Sequence, residues 1–240
     1  MVLIVAISLS GYIAHKFLGA TSGSIIAGFL GGLISSTATS VSYARRAREA
    51  PQLASMSALV IIIASAVMFF RVLVLVGVVA PQLFLPLLGP LGAMVGVTVL
   101  VAGGMWLFTR REPVSPPEPE NPSELKSALV FGLLFAVVLL AVAAARQHFG
   151  VRGLYAVAAL SGLTDMDAIT LSTLEMAKGK QVDIDMAWQM ILLAASANFL
   201  FKGALVAFLG GRKLLARIAP PFGIAIAAAC LLLFLWPKAQ

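Results

Sequence analysis

Two aspartates, Asp165 and Asp167, lie in the middle of a long apolar segment and are the residues of this sequence best suited to chemistry. A charged side chain at the centre of a bilayer costs roughly 2.5 to 3.5 kcal/mol by insertion scales, so it is seldom there without a role. Thr164 precedes the aspartates, and Asn198 lies in the next apolar segment. Oxygen ligands without histidine or cysteine suit a hard cation or protons. The pattern predicts an ion site, with Asp165 and Asp167 as the ligands of any metal ion.

A weaker copy of this motif occurs 130 residues earlier. The stretch 32–42 aligns without a gap to the stretch 162–172, and neutral hydroxyls stand at the two aspartate positions. The neutral ligands expected from this copy are Ser35, Ser36, Thr37 and Thr39. Small hydroxyl side chains also serve as hydrogen-bonding contacts between membrane helices, and that interpretation fits this cluster equally well.

Two cations, Arg71 and Lys202, occupy matching positions in the similar segments 64–71 and 195–202, at an offset of 131 residues. Two cations and two carboxylates neutralise one another, so Arg71 and Lys202 are predicted to act as counter-charges. Alternatively, their long aliphatic stems allow the charged groups to reach a membrane interface.

The spacing of the two aspartates indicates an interruption of the helix. Residues two apart point about 200° from each other on an intact helix. Either the aspartates contact different neighbours, or the helix is broken there. Gly162 and Thr164 favour a break, with Thr164 capping a half-helix, and the same is expected near Ser35.

Composition predicts an all-α membrane protein. Of 240 residues, 60% are hydrophobic and 11% are charged, whereas soluble domains carry about 25% charged residues. Apolar runs of roughly 20 residues, enough to cross a bilayer, recur along the chain. The net charge of +7 is concentrated in short basic clusters at helix ends, which is typical of cytoplasmic loops rather than of nucleic-acid binding. No nucleotide loop, nucleophile–histidine pair or metalloprotease spacing is present, so neither an enzyme nor a cofactor is expected.

About eight transmembrane helices are predicted, arranged as two repeats of four, with the second and sixth broken. They cover about 2–15, 24–44, 51–79, 91–108, 125–145, 154–176, 184–209 and 221–236. A Pro/Glu-rich linker over 111–123 separates a first repeat at 1–110 from a second at 124–240. The proline-rich stretch 81–90 is predicted to be an interfacial or re-entrant connection. Parallel repeats follow if helices two and six cross the membrane, and inverted repeats if they are hairpins.

The motifs at 31–39 and 162–170, together with 121–125 and 195–202, resemble one family over nearly the whole chain. These motifs are similar to those of a bacterial membrane domain called domain of unknown function 4010. The resemblance implies a domain that often forms the C-terminal part of MgtC/SapB-type proteins. It implies a multi-pass protein of the bacterial inner membrane and an MgtC-like domain or subunit as a partner. The basic loops weakly favour cytoplasmic termini.

Two functional hypotheses follow. The first is a transporter or channel for a small ion, either a hard cation such as a divalent metal ion or protons, with a site between the repeats. The second is a non-transporting regulatory or scaffold subunit of the membrane, in which the polar motifs are internal structure. The partners expected are the lipid bilayer and the ion. A homodimer is a further possibility that the sequence leaves undecided.

Overall fold

The computed structural model describes residues 2–109 and 153–237, with side chains from residue 23 onward. Over these ranges the chain is helical apart from short turns, and no strand occurs in them, which confirms the all-α class. The seven α-helices of these described ranges are α1 Val2–Glu49, α2 Ala54–Val79, α3 Pro81–Thr109, α4 Leu154–Gly162, α5 Met166–Lys178, α6 Ile184–Leu209 and α7 Gly211–Leu235. The predicted linker 111–123 and the predicted helix 125–145 lie outside the described residues.

Five of the described helices are long and apolar enough to cross a bilayer. The candidate spans are Gly23–Glu49, Pro51–Val79, Pro81–Thr109, Ile184–Leu209 and Gly211–Leu235. α4 has 9 residues and α5 has 13, so each is shorter than the roughly 20 residues that a crossing needs. The chain is a multi-pass helical membrane protein that also contains two consecutive short helices.

The N-terminal part of the prediction is wrong in two places. α1 is one continuous helix from Val2 to Glu49, so the turn expected between the first two predicted helices is absent, as is the break expected near Ser35. Glycine and serine lower helix stability only slightly, by at most about 1 kcal/mol each, and no proline interrupts this range. Serine and threonine hydroxyls of α1 also bond to the helix itself, since Thr39 Oγ1 donates to the Ser35 carbonyl at 2.8 Å.

The proline-rich stretch after α2 is helical, so the predicted re-entrant connection is wrong. α3 begins at Pro81 and continues through Pro86 and Pro90. Pro81 occupies the first turn, where its missing N–H has no helical partner to lose. Internal prolines each remove one backbone hydrogen bond, which membrane helices tolerate when neighbouring groups satisfy the freed carbonyls. α7 likewise begins at Gly211 instead of near Pro221.

Two of the apolar segments form helices close to their predicted limits. α2 follows a short 3-10 turn at Pro51–Leu53 and ends at Val79, and α6 covers the predicted 184–209. Asp183 starts α6, because its Oδ1 accepts a hydrogen bond from the backbone N–H of Met186 at 2.6 Å. Continuous apolar runs with a local start signal determine these two helices.

The chain divides into two compact units. Among the described residues the first unit contains 2–68, 98–109 and 202–222, and the second contains 69–97, 153–201 and 223–237. In the first unit α1 and α2 cross closely at Gly32, where a Cβ would lie 2.8 Å from the Ala64 Cα. Tyr43 and Leu59 are fully buried in this unit.

The second unit has an aromatic core and a similar close crossing. The rings of Phe69 and Phe199 stack with their centroids 5.9 Å apart, and Trp188 is almost completely buried. A Cβ added at Gly162 would overlap the backbone of Ala194, so the end of α4 rests directly on α6. This crossing places the junction of α4 and α5 against the buried part of α6.

Candidate functional site

The predicted sixth helix is interrupted at the aspartate motif. α4 ends at Gly162, Leu163 and Thr164 form a turn, and Asp165 has an extended backbone before α5 begins. Asp165 Oδ1 accepts hydrogen bonds from the backbone N–H groups of Asp167 at 2.9 Å and Ala168 at 3.2 Å. The break is therefore confirmed. Thr164 was the wrong cap, because the carboxylate of Asp165 satisfies the first free N–H groups of α5.

The carboxyl end of α4 is held by a side chain and by the turn itself. The Ser161 carbonyl accepts from the backbone N–H groups of Thr164 at 3.1 Å and Asp165 at 3.0 Å, and also from Thr164 Oγ1. The Gly162 carbonyl accepts from Asn198 Nδ2 at 2.8 Å. A helix end in a membrane protein needs such partners, because buried carbonyls cannot remain unsatisfied without cost.

Asp167 forms an ion pair with Arg71. Arg71 Nη2 contacts Asp167 Oδ2, and the two side chains are 26% and 35% exposed. Arg71 lies on α2 two residues after Phe69, and Phe69 stacks on Phe199 of α6. α2, α5 and α6 therefore come together at the break, and one of its two carboxylates is paired with a cation.

Within residues 69–97, 153–201 and 223–237 of the second unit, three side-chain oxygen atoms are buried without a hydrogen-bond partner: Asn198 Oδ1, Thr170 Oγ1 and Thr173 Oγ1. Asn198 is 2% exposed and both threonines are fully buried. The great majority of buried polar atoms in native proteins are paired, so these three require an explanation. Sequence reasoning missed the threonines, although their spacing of three and six residues after Asp167 continues a polar line along α5.

The hydroxyl cluster of the weaker motif lies on α1, in the first unit. Ser36, Thr37 and Thr39 are buried there, and Ser35 is partly exposed. Ser35 Oγ accepts a hydrogen bond from the backbone N–H of Ala38 at 3.2 Å. This contact and the bond from Thr39 to the Ser35 carbonyl both lie within α1, the usual arrangement of hydroxyl side chains that bond to the backbone of their own helix.

Lys202 also belongs to the first unit and is completely buried. Its Nζ donates to Ser65 Oγ at 3.4 Å and lies 3.6 Å from Met68 Sδ. The ammonium group is therefore enclosed by protein and does not extend to the surface along its stem. The residues predicted from sequence to form one site are thus distributed over both units, and those of the break all belong to the second.

A cavity of about 550 Å³ lies at the opposite end of α5, lined in part by Lys180, Asp183 and Asp185. Its two carboxylates already have partners, since Asp183 caps α6 and Asp185 accepts from Trp188 Nε1 at 3.1 Å. Within residues 23–109 and 153–237, no group of three or more His, Cys, Asp or Glu side chains comes together. The break remains the best candidate site.

The fold and this discontinuous helix define a polytopic α-helical membrane protein. The chain belongs to the family described as domain of unknown function (DUF4010), whose model matches residues 2–210. An uncharacterized protein of Aquifex aeolicus (strain VF5) is 29% identical over 201 residues, which is 83% of this chain and 87% of the relative. No solved structure gives a significant match. Neither relationship names a chemistry, so function has to be inferred from the site.

Proposed function

We propose that this protein moves a small cation or protons across the membrane, and that the break between α4 and α5 is the binding site. The observation that carries this proposal is the interrupted helix with two aspartates at its interruption. Irregular backbone in a membrane protein is tolerated only where it is buried in protein or lines a cavity. Discontinuous helices in transporters use the exposed ends of their half-helices and nearby carboxylates to bind ions.

The carboxylate oxygens leave room for a ligand. The cap uses Asp165 Oδ1, and the ion pair uses Asp167 Oδ2. In this proposal the other oxygen of each carboxylate, Asp165 Oδ2 and Asp167 Oδ1, takes part in binding the ligand. Among the described residues, the two carboxylates and the guanidinium of Arg71 leave one net negative charge at the break. One positive charge, from a cation or a proton, would neutralise it, and Arg71 would be the counter-charge that competes for Asp167.

Local contacts support the proposed internal repeat. Ser35 Oγ accepts from the N–H of Ala38, and 130 residues later Asp165 Oδ1 accepts from the N–H of Ala168. The close crossing of Gly32 with Ala64 likewise corresponds to that of Gly162 with Ala194. These equivalences favour two related halves, of which the second has the charge and the broken helix.

We propose that the protein lies in the bacterial cytoplasmic membrane with the basic carboxyl end of α1 in the cytoplasm. Because α1 is one continuous helix, this orientation places its amino end on the opposite side, which differs from the two cytoplasmic termini expected from the sequence. The basic clusters near helix ends support this orientation, since lysine and arginine accumulate in cytoplasmic loops. Arg48 of the cluster at the end of α1 also donates to the Phe208 carbonyl at 3.0 Å. It therefore lies at the same end of the first unit as the end of α6.

Flux into liposomes tests the proposal with a matched pair of variants. Asp165 and Asp183 both cap a helix of the second unit, but only Asp165 lies at the break. Asparagine also caps helices well, so Asp165→Asn and Asp183→Asn should both fold. We expect flux of monovalent cations, divalent cations or protons to be lost in Asp165→Asn and in Asp167→Asn, and kept in Asp183→Asn. Wild-type flux in both break variants would overturn the site.

A non-transporting scaffold or regulatory subunit is the second candidate, favoured by the hydroxyls of Thr39 and Ser40, which donate to carbonyls of their own helix. Thiol labelling from the aqueous side separates the two. The exposed Cys230 is first replaced by serine, and single cysteines are then introduced as Ser35→Cys and Asp165→Cys. Labelling at position 165 supports the transport proposal, whereas complete protection at both positions supports the scaffold.

A further inference from the structure

The carboxyl end of α1 meets the turn between α6 and α7 inside the first unit. Arg48 Nη1 donates a hydrogen bond to the Phe208 carbonyl at 3.0 Å. A Cβ added at Gly210 would lie 3.3 Å from the Ala44 Cβ, so the turn passes directly beside α1. Gly211 has a φ of +75°, a conformation that glycine adopts without strain. α7 therefore starts immediately after the contact with α1.

This contact brings together two basic clusters that lie about 160 residues apart in the sequence. Arg48 is one helical turn after Ala44, and Arg212 follows Gly210 by two residues, which span at most about 7 Å of chain. The five cations at this end of the first unit form a basic face: Arg45, Arg46, Arg48, Arg212 and Lys213. The fold, and neither segment alone, therefore creates the basic face.

The basic face has a large positive charge that the described part of its own unit does not balance. Glu49 is the one acidic residue in the described part of the first unit. Five cations and this carboxylate leave four net positive charges at one end of the unit. Arg48, Arg212 and Lys213 are exposed there, so they can meet an external anion. Cations clustered in this way attract anions strongly.

Two arginines of the basic face are already oriented by contacts within the first unit. The Arg46 guanidinium lies over the Tyr43 ring, 5.0 Å from its centroid, and Arg46 is 9% exposed. Arg48 is held by the Phe208 carbonyl. A guanidinium is planar and offers several N–H donors, so it suits the oxygens of a phosphate group. Prior orientation reduces the entropy that is lost when such an anion binds.

An exposed aromatic ring next to the cations favours a lipid as the source of the phosphate. The Phe208 side chain is 80% exposed and lies at the end of the candidate span Ile184–Leu209. An apolar ring at the end of a spanning helix enters the acyl boundary of the bilayer, while neighbouring lysines and arginines reach the headgroups. A soluble phosphate compound would leave this ring without an apolar partner.

We propose that the basic face binds the headgroup of an acidic phospholipid of the surrounding membrane. Arg48, Arg212 and Lys213 hold the phosphate diester, and the acyl chains lie beside Phe208. In the proposed orientation this face lies on the cytoplasmic side, whose leaflet contains acidic lipids. Each lysine or arginine near such a surface strengthens binding roughly fivefold. The inference concerns the first unit and does not depend on the ion site proposed at the break.

Native mass spectrometry of the full chain, purified in a neutral detergent, tests this preference. The protein is mixed with equal amounts of phosphatidylglycerol and phosphatidylcholine that have identical acyl chains, so the two lipids differ in the headgroup. At low ionic strength we expect phosphatidylglycerol to bind at least about 25-fold more tightly, as for two cations at about fivefold each. Salt should weaken the preference, because exposed charges are screened. Equal binding of the two lipids overturns the inference.

A double substitution locates the lipid on the basic face. Arg212→Gln with Lys213→Gln removes two exposed charges and should lower the affinity for phosphatidylglycerol about 25-fold. Arg212→Lys with Lys213→Arg keeps both charges and should keep most of the affinity. Lys178→Gln with Lys180→Gln is the matched control, because it removes two exposed lysines of the second unit. Unchanged affinity in the first variant, or an equal loss in the control, overturns the inference.

Competition separates a lipid from a soluble phosphate compound. Glycerol 3-phosphate has a phosphate group but no acyl chains, so it should not displace phosphatidylglycerol at equal concentration. Phe208→Ala should lower the affinity for phosphatidylglycerol, because it removes apolar contact area, and it keeps the backbone carbonyl that holds Arg48. Displacement by glycerol 3-phosphate would make the basic face a site for soluble anions. That result, or unchanged lipid affinity in Phe208→Ala, overturns the inference.

Discussion

Arg71 of α2 and Asp167 of α5 form an ion pair inside the second compact unit. The pair joins a helix of the first predicted repeat to a helix of the second. It lies next to the capped start of α5, so the same few residues determine both the local charge and the backbone geometry of the break. Arg71 is consequently positioned to govern how strongly Asp167 attracts another cation.

Removing the arginine should leave the carboxylate uncompensated. We expect Arg71→Met to lower the free energy of unfolding by roughly 1–2 kcal/mol, less than for a fully buried pair because both side chains are partly exposed. Arg71→Met combined with Asp167→Asn should recover most of that loss. Thermal unfolding of the single and double variants measures the coupling, and losses that simply add would show that the pair does not contribute to stability.

The close crossing of α4 and α6 should not tolerate a methyl group. Gly162→Ala would drive its Cβ into the Ala194 backbone and should cost roughly 1–3 kcal/mol through separation of the helices. Gly96→Ala in the same unit is the control, since a Cβ there meets nothing within 4 Å. Thermal midpoints that fall equally in both variants would contradict the close approach.

The cap and the charge of Asp165 can be separated by substitution. Asp165→Ala removes the side-chain acceptor and should destabilise the protein by about 1 kcal/mol. Asp165→Ser keeps an acceptor for the N–H groups of α5, so its midpoint should stay near that of the wild type while flux is lost with the carboxylate. Full flux in a well-folded Asp165→Ser protein would assign this residue a capping role alone.

The buried side chain of Lys202 should matter for packing. Lys202→Ala leaves a cavity beside Ser65 and Met68, whereas Lys202→Met fills nearly the same volume. We expect the alanine variant to be less stable than the methionine variant by roughly 2–5 kcal/mol, as for large-to-small changes in a core. Equal midpoints for the two variants would indicate that the surrounding helices close around the truncated side chain.

The sequence by itself determined the membrane class, the limits of α6 and of most of α2, and the interruption between α4 and α5. Each of these rests on local information. Long apolar runs are sufficient to form spanning helices, and a turn ended by a carboxylate that can bond the next free N–H groups restarts a helix. The same local reasoning assigned the cap to Thr164 instead of Asp165, which is an error of one residue in the boundary.

Reasoning from local sequence failed where the residues are compatible with more than one backbone conformation. Glycines and serines of α1 and prolines of α3 are compatible with both a turn and a helix. Their intrinsic preferences amount to about 1 kcal/mol for glycine and about 3 kcal/mol for proline, which tertiary contacts can outweigh. In both cases the continuous helix formed, because an apolar environment favours the state in which the backbone bonds to itself.

Only the tertiary structure decided which distant groups meet. The sequence offered two cations for two aspartates, and the fold assigned Arg71 to Asp167 while it enclosed Lys202 with Ser65 and Met68. It also brought Asn198 to the Gly162 carbonyl and buried the hydroxyl of Thr170 without a partner. Burial and pairing of this kind depend on how helices far apart in sequence pack, and the spacing of residues along one segment does not contain that information.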